Sequence, residues 1–285
     1  MSSGGLGGAG APALGGEAGV SSSGAGGEPS AQSLKLATFN IEVFGQAKLD
    51  RPEVMAELVD IVRRYPLVAV QEIKNVAQVV PYAFLDQINA EDDRFAMLLS
   101  PRTGQEPDDE NFQEQYAFYY DTEVLEASSD GLLFDDSADD YFVREPYAAR
   151  FVAAGGFTFV AITVHVRPAA AIEEMEHLPE VVMWAQAEFP EEDDFIILGD
   201  LNAGCDTASV AQLDALSLRG SDYQWLVPDD ADTNVATTEC AYDRIVITTS
   251  TSANAVGTWG VDRAFTDDGI SDHWPVWAEF WTDER

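Results

Sequence analysis

The sequences Gly199-Asp-Leu-Asn202 and Ser271-Asp-His-Trp-Pro275 are the most informative stretches of this chain. An apolar run typical of a buried strand precedes the first at 195–198 and follows the second at 276–280. Carboxylates, an amide and an imidazole at strand ends are the groups that metal-assisted phosphate-ester chemistry requires. Each stretch alone is a weak signal, since Gly-Asp turns are common, so the interpretation depends on matching features upstream.

The apolar pattern of the remaining sequence predicts a two-sheet protein. Helical spacing covers residues 52–65, 79–88 and 172–189. Strands are predicted at 34–39, 67–70, 94–99, 116–120, 147–153, 157–164, 195–198, 245–248 and 274–280. Many strands with a few long helices indicate an α+β fold, in which two packed mixed β-sheets flanked by helices form a four-layer α/β/β/α sandwich.

Composition divides the chain into two parts. Residues 1–33 are rich in Gly, Ala and Ser and are predicted to be a flexible linker or tail, whereas residues 34–285 are predicted to form one catalytic domain. No apolar run approaches the ~20 residues that cross a bilayer. The N-terminus lacks the basic region and apolar core of a signal peptide.

The charge balance is strongly acidic, with 51 acidic and 15 basic residues and a formal net charge of −36. Nucleic-acid binders are usually basic, so the excess needs another explanation. Two explanations of the acidic excess remain open: a solvated surface suited to a salty habitat, or binding of a specific cationic partner. We favour salt adaptation because the acids are spread along the chain and because molar salt shortens the Debye length to ~3 Å.

Eight polar residues lie at the ends of apolar runs, where a sheet would bring them to one rim. They are Asn40, Glu72, His165, Asp200, Asn202, Asp243, Asp272 and His273. Two of the three histidines of the chain are among them, and the third, His177, falls in a helical segment and is expected at the surface. A lone histidine is usually a core residue, but this context favours a functional role.

The two cysteines, Cys205 and Cys240, do not form a Cys-x-x-Cys motif, which argues against a zinc site. They either pair or stay buried and reduced, and their number does not decide between these alternatives.

The order of these motifs resembles the endonuclease/exonuclease/phosphatase superfamily. The matching motifs are Phe39-Asn-Ile41, Gln71-Glu72, Val164-His165, Gly199-Asp-Leu-Asn202, Tyr242-Asp-Arg-Ile245 and Ser271-Asp-His273. The resemblance narrows to the deoxyribonuclease I family through Lys35-Leu-Ala-Thr-Phe-Asn-Ile-Glu-Val-Phe-Gly45, Arg144-Glu-Pro146, Tyr223-Gln-Trp-Leu-Val-Pro-Asp229 and Cys240-Ala-Tyr-Asp-Arg-Ile-Val246. It extends over nearly all of residues 34–280 and points to an acidic, salt-adapted bacterial or archaeal member.

The resemblance implies a secreted, metal-dependent endonuclease that hydrolyses DNA to 5′-phosphate products with little sequence specificity. Glu72, with Asn40 nearby, would hold Mg²⁺ or Mn²⁺. Asp200 and Asp272 would line the same rim and bind a second ion or orient other groups. A signal peptide is not part of the sequence given, so secretion is an expectation from the family.

The resemblance also implies a role for each catalytic side chain. His165 would donate to the scissile phosphate while Glu114 holds its other ring nitrogen. His273, oriented by Asp243, would activate the attacking water. Asn202 would donate to the charge that develops on the phosphate.

The residues expected to contact DNA depart from the family. Arg144 matches in type, but Lys74 replaces an arginine and loses its bidentate fork. Phe112 stands where a minor-groove tyrosine is expected, and Glu42 stands where the family has a phosphate-binding arginine. These changes predict a weaker electrostatic hold on DNA and cleavage that persists or rises toward molar salt.

Two further features follow from the resemblance. Cys205 and Cys240 fall on the structural disulfide of the family. Two acidic loops fall on its structural calcium sites, with candidate ligands Asp130, Asp140 and Glu145 in one and Asp232, Asn234 and Thr238 in the other. Merely acidic loops without an ion remain the alternative.

The resemblance predicts DNA as the partner, a monomer, no membrane contact and no actin binding, since the actin-binding positions around Leu98 and Tyr147 do not match. One alternative is a phosphodiesterase of the same superfamily acting on a phospholipid or inositol phosphate, but no exposed apolar hairpin is apparent. A catalytically inactive interaction module is the other, and the intact set of catalytic residues argues against it.

Overall fold

Two β-sheets form the centre of the protein in the computed structural model, which describes Met1 and residues 32–104 and 113–285. The first sheet contains, in spatial order, β12 (Ala255–Val261), β13 (Val276–Trp281), β1 (Ser33–Phe44), β2 (Leu67–Ile73), β4 (Gln115–Asp121) and β3 (Phe95–Leu99). The second contains β10 (Tyr223–Trp225), β11 (Asp243–Thr248), β9 (Phe195–Asp200), β8 (Thr158–His165), β7 (Tyr147–Ala153) and β5 (Leu125–Ala127), and β6 (Leu132–Leu133) also pairs with β7.

Both sheets are mixed. β1 is parallel to β2 and β8 is parallel to β9, and the other strand pairs of the described residues are antiparallel. The helices are α1 (Gln46–Leu49), α2 (Pro52–Val62), α3 (Val80–Ile88), α4 (Ala171–Glu176), α5 (Leu178–Glu188) and α6 (Val210–Leu213). Short 3-10 turns lie at Pro168–Ala170, Ser217–Arg219 and Ser250–Ala253.

Strand β2 shows why its sequence is a continuous apolar run. Leu67 and Ala69 belong to the core between the two sheets, whereas Val68 and Val70 belong to the core beneath α2 and α3. A strand covered on both faces has no polar side, so the alternation typical of a half-exposed strand is missing. A third core packs α4 and α5 on the outer face of the second sheet. The predicted four-layer α/β/β/α sandwich is therefore confirmed.

The predicted helix over 172–189 is wrong in one respect, because it is two helices that meet at His177. Pro179 has no N–H to donate to the carbonyl four residues earlier, and its ring disfavours a helical residue before it. The predicted strand at 274–280 starts later, at Val276, because Pro275 cannot donate to the ladder and instead accepts the Asp262 N–H. Four short or edge strands, β5, β6, β10 and β12, were not predicted.

A buried polar bridge connects the two sheets just below their rim. Gln71 of β2 donates from Nε2 to Thr163 Oγ1 of β8 over 2.8 Å and accepts from Thr38 Oγ1 of β1 over 3.2 Å. All three side chains are fully buried. Because a buried amide loses stabilisation if a partner moves, this bridge fixes how the sheets sit against each other.

Cys205 and Cys240 form a disulfide with a Cα–Cα distance of 5.6 Å, which ties the segment after β9 to the segment before β11. No helix in the described part of the chain is long and apolar enough to cross a membrane. The predicted tail at 1–33 stays a prediction, since residues 2–31 lie outside the described residues.

Candidate active site

Strand register brings three of the predicted residues side by side in the second sheet. His165 at the end of β8 pairs with Asp200 at the end of β9, and Asp200 pairs with Asp243 at the start of β11. The first sheet supplies Asn40 from β1 and Glu72 from β2, and His273 lies three residues before the start of β13. Strand ends from both sheets therefore form a single rim, as the sequence predicts.

The backbone at this rim is distorted where the functional side chains lie. Glu72 has a φ of 61° near the end of β2, at a register shift between Val70 and Ile73. Asn202, two residues after the end of β9, has a φ of 49°. Non-glycine residues with positive φ cost on the order of 1–3 kcal/mol each and concentrate at functional sites. The bulge turns the Glu72 carboxylate toward Asn40 and the Val43 N–H.

His273 and Asp243 form the first of two histidine–carboxylate pairs. The Nδ1 of His273 donates to Asp243 Oδ2 over 2.8 Å, and the Thr233 hydroxyl donates to the same oxygen over 2.7 Å. Burial would lower the pKa of His273, but the Asp243 and Asp200 carboxylates outweigh it and raise that pKa well above its ordinary value. The pair therefore fixes the orientation of the ring and raises the basicity of its other nitrogen, Nε2.

His165 and Glu114 form the second pair, with 2.9 Å between His165 Nδ1 and Glu114 Oε2. Arg144 donates to the His165 carbonyl over 2.9 Å and to Glu114 over 3.3 Å, and Lys74 Nζ lies 3.2 Å from Glu114 Oε1. Burial alone would raise the pKa of Glu114, but its contacts with His165, Arg144 and Lys74 lower it to about 2. Glu114 therefore stays ionised and fixes the orientation of the His165 ring.

Asp200 lies between the two pairs. Its Oδ2 is 3.6 Å from the Nε2 of His165 and 3.6 Å from the Nε2 of His273. Asn40 donates to the same oxygen over 3.1 Å, and the Asn202 backbone N–H donates to the other carboxylate oxygen over 2.9 Å. Burial would raise the pKa of Asp200, but the two imidazoles lower it. The Nε2 atoms of both catalytic candidates thus lie close to one carboxylate oxygen.

The residues present fit a hard divalent cation. Asn40 Nδ2 donates to Glu72 Oε1 and to Asp200 Oδ2, 3.1 Å in each case, so the two carboxylates converge. Carboxylate oxygens are the ligands that Mg²⁺ and Mn²⁺ prefer. Asp272 is about half exposed, with Oδ1 3.8 Å from His273 Nε2. Asp200, Asp243 and His273 also offer ligand atoms within 4.8 Å of one another, but His273 Nδ1 is already bonded to Asp243.

Two predicted phosphate donors lie at the same rim. Asn202 Nδ2 donates to the Val166 carbonyl over 2.9 Å, and because the amide carries two hydrogens, one remains for a ligand. Arg144 is nearly buried, and its Nη2 has no hydrogen-bond partner among the described residues. Glu42 pairs with Lys48 over 3.5 Å. Phe112 lies outside the described residues.

The first predicted calcium loop includes a further acidic residue that the sequence interpretation did not name. Asp130 is exposed and presents its backbone carbonyl to the Tyr147 hydroxyl over 3.0 Å. The sequence interpretation missed Asp136, which is buried and accepts the Phe142 N–H over 2.7 Å. Burial, with Asp136 and Asp140 nearby, raises the pKa of Glu145.

The second predicted calcium loop does not fit a metal ion. Asp232 Oδ2 pairs with Arg263 Nη2 over 2.9 Å, and Asp232 Oδ1 accepts the Cys240 N–H over 3.4 Å. Asn234 Nδ2 donates to the Thr238 carbonyl over 3.0 Å. The guanidinium of Arg263 therefore pairs with the Asp232 carboxylate that a metal ion would need as a ligand.

Three structurally important residues received no role in the sequence interpretation. Thr233 orients Asp243, as described above, and Tyr116 accepts the His165 N–H over 3.1 Å. Arg244 is fully buried and donates to the carbonyls of four residues, Ala203, Val227, Pro228 and Ala241. Arg244 was present within the Tyr-Asp-Arg-Ile motif, whereas a buried tyrosine such as Tyr116 looks the same in sequence as any core tyrosine.

Comparisons with known proteins agree with this architecture. Residues 37–273 match the model of the endonuclease/exonuclease/phosphatase family. Human deoxyribonuclease-1 is 32% identical over 267 residues, which cover 86% of this chain and 92% of that protein. Mouse deoxyribonuclease-1 is 31% identical over 267 residues, which cover 86% and 91%.

Among solved structures, an endonuclease/exonuclease/phosphatase from Bacteroides vulgatus superposes with a TM-score of 0.59 at 17% identity, covering 87% of this chain and 98% of that one. The humanized D. rerio TDP2 gives a TM-score of 0.61 at 14% identity, with coverage of 87% and 98%. At such identities the likeness concerns the fold. Together with the sequence relatives, these matches show that the chain belongs to the endonuclease/exonuclease/phosphatase family and, within it, to the deoxyribonuclease I group.

Proposed function

We propose that this protein is a secreted, metal-dependent endonuclease that hydrolyses DNA phosphodiester bonds to 5′-phosphate products with little sequence specificity. The observation that carries the proposal is the pair of imidazoles, each held by its own carboxylate, whose Nε2 atoms both lie 3.6 Å from Asp200 Oδ2. A phosphodiester at this point would have a proton acceptor on one side and a donor on the other. The deoxyribonuclease-1 relatives support DNA as the substrate.

In this proposal His273 accepts the proton of the attacking water. Its Nδ1 is fixed on Asp243 over 2.8 Å, so Nε2 is the atom that receives the proton. The oxygen of the water bonds to phosphorus as the bond from phosphorus to the 3′ oxygen breaks. The phosphate stays on the 5′ oxygen of the downstream fragment, and the 3′ oxygen of the upstream fragment leaves as an alcohol.

The other side chains stabilise the charge that builds up on the phosphate. His165, with Nδ1 on Glu114, presents Nε2–H to the phosphate and can pass its proton to the departing 3′ oxygen. Asn202 and Arg144 supply further hydrogen bonds from positions that are already fixed by the Val166 and His165 carbonyls. Mg²⁺ or Mn²⁺ held by Glu72 and Asp200 would polarise the phosphoryl oxygen and offset negative charge.

Secretion and salt tolerance are supported by independent features. The disulfide suits an oxidising compartment, and the net charge of −36 suits high salt. The protein is proposed to act as a monomer without actin. Ca²⁺ is proposed only for the loop around Glu145, where acidic side chains gather.

Plasmid DNA provides the test. We expect nicking with Mg²⁺ that stops on addition of EDTA, and product ends that a DNA ligase can rejoin, since ligation requires a 5′-phosphate. His165→Ala and His273→Ala should each lower the rate by about 10²–10⁴-fold. His177→Ala is the matched control, since His177 is stacked on Tyr141 with a ring separation of 3.7 Å, away from the rim.

Near-normal rates in folded His273→Ala protein would contradict the mechanism. Hydrolysis of phospholipid vesicles without DNA cleavage would instead support the lipid-directed alternative.

A further inference from the structure

The segment at residues 232–240, here called the Thr233 loop, connects both members of the His273–Asp243 pair. The Thr233 hydroxyl donates to Asp243 Oδ2 over 2.7 Å. The Thr233 carbonyl accepts the N–H of Trp274, the residue after His273, over 2.8 Å. Because Thr233 is fully buried and bonded to both sides, a shift of this loop would move the two partners relative to each other.

The contact between the Thr233 loop and the His273 segment continues along the backbone. Val235 N–H donates to the Asp272 carbonyl over 2.8 Å, and Asn234 and His273 form an antiparallel bridge. The backbone on both sides of His273 is therefore paired to this loop. The position of the loop sets the position of the imidazole.

Arg263, which follows strand β12, contacts both segments from outside. Its Nη2 donates to Asp232 Oδ2 over 2.9 Å and to the Asp232 carbonyl over 3.2 Å. Its guanidinium carbon lies 4.6 Å from the centre of the Trp274 ring. The Asp232 side chain is only 10% exposed, whereas that of Arg263 is 53% exposed. Arg263 thus covers two largely buried groups, the residue before Thr233 and the residue after His273.

We propose that Arg263 is a positioning residue for the His273–Asp243 pair and that its guanidinium takes the place of a metal ion in the Thr233 loop. This inference rests on the proposed function. A planar cation can bond a carboxylate and stack on an indole at once, which a spherical ion cannot do. An arginine also cannot dissociate, so the alignment of the pair does not depend on free Ca²⁺.

The first test separates positioning from folding and from substrate binding. In Arg263→Ala we expect kcat to fall on the order of tenfold with KM changed less than about twofold, because the pair is displaced while the DNA contacts are intact. Arg263→Lys keeps the charge and should recover part of the lost kcat. The control is Arg285→Ala, which removes an arginine 4.0 Å from the Trp281 ring and 3.4 Å from Asp283, at the opposite end of β13.

A kcat of Arg263→Ala equal to that of Arg285→Ala would overturn the positioning role. If Arg263→Ala does not fold, the same comparison is made with Arg263→Lys and Arg263→Gln, and equal kcat values in both and in the wild type overturn the role in the same way.

The second test needs no DNA cleavage. Calcium titration calorimetry of wild-type protein and Asp232→Asn should give the same number of Ca²⁺ sites, since the Asp232 carboxylate is held by Arg263. One site fewer in Asp232→Asn would show that an ion binds there and would overturn the replacement. A wild-type protein that is inactive on DNA would refute the proposed function instead. The calorimetric result would still show whether Arg263 takes the place of a metal ion in the Thr233 loop.

Discussion

The disulfide between Cys205 and Cys240 should stabilise the protein without taking part in catalysis. The two cysteines are 35 residues apart, so breaking the bond releases a loop of that length in the unfolded chain. The chain-entropy relation gives about 13 cal/mol/K for this loop, which is about 4 kcal/mol at 25 °C. A domain of this size loses roughly 2–4 °C in Tm per kcal/mol, so we expect Cys205→Ala/Cys240→Ala to melt about 8–16 °C below the wild type.

The same variant should keep nearly its full kcat at 25 °C. In the folded protein the Thr233 N–H also donates to the Cys240 carbonyl over 2.9 Å, so the loop stays in place without the sulfur bond. Calorimetric melting with and without reductant measures the effect, and reductant should lower the Tm of the wild type but not that of the variant. A Tm within about 2 °C of the wild type, or a large loss of kcat in folded variant, would refute this reasoning.

Three further predictions concern catalysis, acid stability and salt. Asp243→Asn should lower kcat by about 10²-fold or more in initial-rate assays, because His273 loses the anion that fixes its tautomer, and a loss under twofold would contradict this. The folded pKa of Glu114 is about 2 against an ordinary 4.5, so its stabilisation is complete above pH 4.5 and is lost as the pH falls toward 2. Urea unfolding of Glu114→Gln should therefore depend less on pH in this window than unfolding of the wild type does. The cleavage rate of the wild type should persist or rise from ~0.1 M to ~1 M NaCl. Glu42→Arg, which places a second cation near Lys48, should raise the rate at low salt and make the rate fall more steeply as salt increases. A wild-type rate that collapses below a few tenths molar NaCl contradicts salt tolerance.

The fold was predictable because the apolar periodicities are local properties of the chain. Strand β7 at Tyr147–Ala153 matches its predicted bounds, and α2 and α3 lie within a few residues of theirs. The edge strand β12 was missed because it contains Gly257 and Gly260 and buries little side-chain surface. The formation of such a strand depends on pairing with β13, and the residues of the strand itself do not indicate that pairing.

The rim of the site was predictable in part. Residues at strand ends, such as His165 and Asp200, could be identified because motif order and strand position agree. The Arg263–Asp232 contact could not be predicted from the sequence, because it joins residues from two loops that approach each other only in the packed fold. For the same reason the sequence could not show that an arginine would pair with the Asp232 carboxylate, which was predicted to bind calcium.

Each histidine–carboxylate pair joins one sheet to the other. Glu114 belongs to the first-sheet side and His165 to the second, whereas His273 leads into the first sheet and Asp243 belongs to the second. A chain with only one sheet assembled therefore has an imidazole without its carboxylate in one pair and a carboxylate without its imidazole in the other. With the proposed roles of these residues, hydrolysis requires that the two sheets have docked, so a chain in which only one sheet has folded is expected to be inactive.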